Sequence, residues 1–171
     1  MKILFVFLFS ITISLSQQVV AQQNNRPATA DQLGREVFET LQNNDFIGFD
    51  SLIITGHDGE ILANKYKGTK QEKANALKNF TTTSNSVKKS AKQNFQMILD
   101  TLNKKGIDWD KVEIIKILSH KGKFKNLEMA PVGIVCKQGN IVFVILVGDC
   151  YKSDAWVITE EIKIDFEIET R

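Results

Sequence analysis

Cysteine, proline and histidine are scarce in this chain, with two of each among 171 residues. Two cysteines cannot build a disulfide scaffold, and two prolines exclude a proline-rich linker protein. His57 and His120 stand far apart, one in a predicted loop and one beside a predicted turn. No HxH, HExxH or paired CxxC motif occurs, so a dedicated zinc site lacks ligands, and no cofactor is expected. An excess of one charge is missing too. The formal net charge is +2, and +1 without Lys2, which argues against a general nucleic-acid binder, a class with a strong basic excess. Internal repeats and low-complexity segments are absent. What remains is 43% hydrophobic and 25% charged, the composition of an ordinary globular domain.

The N-terminus has the three-part pattern of a signal peptide. Lys2 is the only charge before Arg26, residues 3–15 are apolar apart from Ser10, Thr12 and Ser14, and Val19-Val20-Ala21 offers a small-residue cleavage site. The apolar stretch of about 13 residues falls short of the roughly 20 that span a bilayer. No cysteine follows it to accept a lipid. The expectation is a cleaved leader over 1–21, a flexible polar N-terminus over 22–28 and a single domain over 29–171. The mature protein would be secreted or periplasmic, with no stable membrane insertion.

Hydrophobic periodicity divides the domain in two. Thr29 to Gln32 fits a capping box, and Leu33, Val37 and Leu41 give one apolar helical face. Asp45 can cap a short helix bearing Phe46, Phe49, Leu52 and Ile53. Residues 55–69 hold three of the ten glycines and read as a loop, with a short extended piece near Ile61. A helix over 70–80 is followed by Thr81-Thr82-Thr83-Ser84, which reads as an interruption supplying caps. Val87, Ala91, Phe95, Ile98, Leu99 and Leu102 then form the longest helical stripe, ending at Gly106. From Val112 the period turns strand-like. Strands are predicted over 112–118, 132–137 and 141–147, with turns at 121–123, 139–140 and 149–154. Apolar residues on even positions from Trp156 to Ile168 give a last long strand, with Glu160 marking a bulge. Helices first and strands joined by hairpins last means α+β: N-terminal helices on a curved antiparallel sheet of four or more strands.

The stretch from Leu41 to Ile53, the GIDW at 106–109 and the run VILVGDCYKSDAWVI at 144–158 stand in the same order as in a known fold. The chain resembles the nuclear transport factor 2-like (cystatin-like) superfamily, in particular its small secreted bacterial members. The resemblance implies a cone-shaped α+β domain whose sheet wraps its helices and leaves a pocket. Family members include ketosteroid isomerase-like and polyketide cyclase-like enzymes, and also non-catalytic binding and dimerisation modules. Fold alone does not choose among these.

The candidate chemistry is sparse. Asp149 and Tyr151 match the residue types of a pocket base and hydroxyl, but their predicted turn makes Asp149 a turn former, so no catalytic role is assigned. Trp109, Tyr151 and Trp156 are candidate pocket residues, with core packing the alternative for both tryptophans. A basic run over 111–125 and an acidic one over 160–171 read as solvated strand faces that discourage edge pairing. Asn79-Phe80-Thr81 matches a glycosylation sequon that matters only in a eukaryotic secretory pathway. A hairpin at 139–140 puts Cys136 opposite about residue 142 and Cys150 roughly 23–27 Å further along, so no disulfide is expected. The run 141–147 is apolar on both faces. Helices can cover only one of them, so Val142, Val144 and Leu146 are expected beneath a pocket or a second subunit. Function is expected to be non-catalytic: binding of a small apolar ligand, or protein interaction through the sheet. The alternatives are a proton-transfer pocket enzyme and a homodimerisation module without ligand.

Overall fold

A computed structural model describes residues 26–166. Among these residues four helices come first: α1 (Ala30–Gln42), α2 (Phe46–Ser51), α3 (Gly56–Lys65) and α4 (Lys70–Lys104). A 3-10 turn at Trp109–Lys111 leads to β1 (Glu113–Ser119), β2 (Gly122–Phe124), β3 (Leu127–Gln138), β4 (Ile141–Lys152), β5 (Trp156–Ile158) and β6 (Lys163–Asp165). The protein is α+β, with the helices packed on an antiparallel sheet that is not closed into a barrel. The leader expected over 1–21 lies outside the described residues.

The six strands lie in four ranks. β1 and β2 both pair with the same side of β3, and β5 and β6 both pair with β4. The second of these ranks is the long last strand expected from alternation, broken over residues 159–162. Its two halves differ by one residue in register, since Cys150 faces Ile158 whereas Val144 faces Asp165. β4 carries a matching bulge. Val132 faces Gly148 and Gly133 faces Leu146, leaving Val147 extra. Gly148 has φ +77, and a Cβ there would stand 2.5 Å from Glu160 Oε2, so a side chain would be both strained and blocked.

Local signals explain the first two helices. Thr29 Oγ1 accepts from the Gln32 amide and Asp45 caps α2 through the Gly48 amide. Leu33, Val37 and Leu41 are fully buried. Gly34 lets α1 lie close on the sheet, since a Cβ would come within 3.0 Å of Ile117 and 3.2 Å of Val132. Residues 56–65, expected as a loop, are instead helical. Thr55 and Asp58 form a full capping box, and Leu62 and Ala63 pack into the core. The glycines misled the sequence reading because Gly56 and Gly59 sit in the first turn.

The expected break at 81–84 is also absent, and α4 runs unbroken for 35 residues. The hydroxyls of Thr81 and Thr82 bond back to the carbonyls of Leu77 and Lys78, and Ser84 Oγ reaches Ile54 O at 3.0 Å. Further along, buried Asn94 donates to Ile162 O and accepts from Ile162 N. It acts as a one-residue strand partner in the gap between β5 and β6.

The turn expected at 121–123 falls later. Gly122 to Phe124 is strand, and Lys125 and Asn126 make the hairpin at positive φ, the geometry that two-residue hairpin loops favour. The hairpin at Gly139-Asn140 pairs Gln138 with Ile141, so Cys136 faces Phe143. Cys150 faces Ala130, and both thiols are free and buried.

One polar cluster joins the N-terminal segment to the sheet. Asp58, 1% exposed, takes both guanidinium nitrogens of Arg26 at 2.7 and 3.1 Å, Ser153 Oγ at 2.6 Å, and the amide and hydroxyl of Thr55. The Trp156 amide donates to Pro27 O. Residues 26–28, expected as part of a free polar end, are therefore held in place.

Candidate functional site

Helix α4 has two different inner faces. From Val87 onward it is apolar, and Ala91, Phe95, Ile98 and Leu102 enter the core. Its first third presents Glu72, Ala76, Asn79, Phe80 and Thr83 at helical spacing. Apart from Phe80, those residues are too short or too polar to fill the space against the sheet. The result is a cavity of about 460 Å³ between this part of α4 and the β2–β3–β4 end of the sheet.

The sheet side is supplied by register. The odd residues of β3 face Val142, Val144, Leu146, Asp149 and Tyr151 of β4, so these share one face. It is the face opposite the one that buries Ala130, Val132, Ile134 and Cys136 against the α1 core. Asp149 and Tyr151 line the cavity with Leu127, Thr159 and Glu160. Phe80 of α4 meets Tyr151 edge to face, with centroids 5.8 Å apart. Tyr66 and Phe124, 6.4 Å apart in the same manner, line it as well. The expectation that helices reach only one sheet face is thereby corrected. α1 covers one side, and the first third of α4 folds over part of the other.

The charged lining is entirely acidic. Glu72, Asp149 and Glu160 contribute to it, and no Lys, Arg or His does. Glu72 is occupied: the Thr69 amide bonds to its carboxylate at 2.7 Å and Lys125 Nζ stands 3.8 Å away. The Thr69 amide and hydroxyl, with Lys125, hold its carboxyl below the usual range. Thr159 Oγ1 donates to the Asp149 carbonyl at 2.6 Å, fixing the strand between the two other acids. Burial, and then the charges of Asp149 and Glu160, push the Tyr151 hydroxyl above the usual phenol range.

The residues singled out from sequence are not all brought together. Tyr151 lines the cavity, and Asp149, expected in a turn, stands beside it on strand β4. Trp156 is 2% exposed in the core. Trp109 packs edge to face on Phe38 with centroids 5.7 Å apart, its buried Nε1 without a hydrogen-bond partner. Neither tryptophan lines the cavity. Val142, Val144 and Leu146 lie on the open part of the same sheet face. There Leu146 and Leu118 are 41% and 47% exposed around Gly133. His57 and His120 are exposed. Sequence reading missed Phe80, Asn79, Tyr66 and Phe124. The signal for the first two was the four-residue spacing of Ala76, Phe80 and Ser84 across the supposed break. Tyr66 and Phe124 are joined only by the tertiary fold.

Among the described residues no three His, Cys, Asp or Glu side chains converge on a metal-sized site, and no helix is long and apolar enough to cross a membrane. No protein family, curated protein or solved structure matches the chain.

Proposed function

We propose that this is a small secreted binding protein of the nuclear transport factor 2-like type, holding a small molecule non-catalytically between α4 and the sheet. The observation behind the reading is the aromatic-lined cavity of about 460 Å³, within the range of roughly 300–1,000 Å³ that small-molecule sites occupy. Catalysis is the weaker reading. Glu160 is exposed, and Asp149 and Glu72 are half-buried, so no acid is enclosed in the way a proton-transfer base requires. Ala76, 8% exposed on the cavity wall, gives the test. Screening small aromatic fragments by NMR should move the ring resonances of Tyr66, Phe80, Phe124 and Tyr151. In Ala76→Phe, which fills the space, those shifts should vanish with the fold retained. Fragments that shift only other residues, or that bind Ala76→Phe equally, would refute the reading.

A second reading concerns the open part of the sheet face. Val142, Val144 and Leu146 are flanked by Leu118 and by Ile115, which is 52% exposed. Lys116, Lys121 and Lys123 outnumber Glu113 along the β1–β2 rank, and Glu160, Glu161 and Asp165 outnumber Lys163 along the β5–β6 rank. A two-fold axis parallel to the strands would set the basic side of one copy against the acidic side of the other. The occupant proposed for this face is a second copy of the chain.

A further inference from the structure

We propose that the cavity takes an organic ammonium: a small molecule with an apolar, ring-sized body and one cationic head. This rests on the binding reading above and adds the sign of the ligand's charge. It replaces the purely apolar ligand expected from sequence.

The lining chooses the charge. Two of its three carboxylates, Asp149 and Glu160, take part in no ion pair among the described residues, whereas Glu72 has Lys125. With no cationic side chain in the wall, an anionic ligand would meet uncompensated repulsion. A wholly apolar ligand would cover part of the half-buried Asp149 and return nothing to its carboxylate. A cation answers both. The four lining rings act in the same direction, because aromatic side chains offer negative π-density to a cation and apolar surface to its body. Aromatic walls also suit an organic cation better than a bare metal ion, which seeks oxygen or nitrogen ligands.

The backbone that carries the acids is tied down before any ligand arrives. Thr159, just past β5, donates from Oγ1 to the Asp149 carbonyl. Glu160 follows directly and lies across Gly148, in space open only because residue 148 has no Cβ. The β4 bulge and the break between β5 and β6 thus bring two carboxylates to the same rim. Charge placed by rigid backbone costs a ligand less ordering on binding than charge on a mobile loop.

Three matched probes test the inference on the intact protein at pH 7: 2-phenylethylammonium, 2-phenylethanol and phenylacetate, each titrated against the four ring resonances by NMR. The ammonium should bind about tenfold tighter than the alcohol, with phenylacetate the weakest. Asp149→Asn and Glu160→Gln should each weaken the ammonium about fivefold and leave the alcohol unchanged. Added salt should weaken only the ammonium. If the alcohol binds as tightly as the ammonium at the same rings, the charge inference fails and the binding site stands. If none of the three moves those rings, both fail.

Discussion

Asp58 shows how one side chain can tie distant segments together. Burial alone would raise its pKa, but hydrogen bonds from Arg26, Ser153 and Thr55 outweigh that and hold it at about 2, against an ordinary value of 3.8. A lowered folded value contributes stability that is complete above the unfolded value. It is then lost as pH falls from about 4 toward 2, an amount of about 2 kcal/mol. Asp58→Asn keeps the volume and gives up the charge opposite Arg26. It is expected to cost about 2 kcal/mol in urea denaturation at pH 7, since the charge-assisted hydrogen bonds of a part-buried pair are lost. It should also flatten the loss of stability between pH 4 and 2. If Asp58→Asn is as stable as the parent, or keeps the parent's acid limb, the cluster is not what joins Arg26 to the sheet.

Element α4 owes its length to a contest that the polar segment 81–84 lost. Thr and Ser are weak helix formers because their hydroxyls compete for backbone groups. Here the hydroxyls of Thr81 and Thr82 bond within the helix, while Ser84 bonds to Ile54 O outside it. Val87 to Leu102 on one side and the Thr69–Glu72 capping box on the other hold both ends. Thr82 is exposed, so Thr82→Ala should stabilise the fold by about 0.5 kcal/mol through helix propensity. Thermal unfolding followed by circular dichroism measures it. A loss of about 1 kcal/mol, the cost of deleting a cap, would mean that two helices meet at this point.

At the level of the whole molecule, the sheet is covered unequally. Its inner face is closed by the helices, and α4 covers the Tyr151 end of the other. The Val142–Leu146 end stays open, with Leu118, Ile115 and Leu146 partly in water. Val144, 6% exposed, is already packed within the sheet, so a charge there would disturb folding as well as association. Leu146→Lys and Leu118→Lys are cleaner tests. Light scattering is expected to give a dimer for the parent and a monomer for each variant, with the melting temperature of each monomer close to that of the parent monomer. A parent that stays monomeric at high concentration would remove the second copy from this face.

How much of this was legible beforehand follows from the range of the interactions. The α+β class, the caps at Thr29 and Asp45, the Val87–Leu102 stripe, the hairpin at Gly139-Asn140 and the irregularity at Glu160 all rest on neighbours within a few residues. Periodicity and turn chemistry report those directly. The helix at 56–65, the continuity of α4 and the extension of β4 through Asp149 and Tyr151 rest on partners far along the chain. Leu62 needs the core, Ser84 needs Ile54, and Tyr151 needs Phe80 and Met129. The cavity belongs wholly to this second group. Its walls come from a loop, a helix, a hairpin and the break between two strands, and no local pattern joins Tyr66 to Glu160. Local sequence determined which segments coil and which extend. Only packing decided that α4 crosses to the second sheet face, and with that where three carboxylates and four rings line one space.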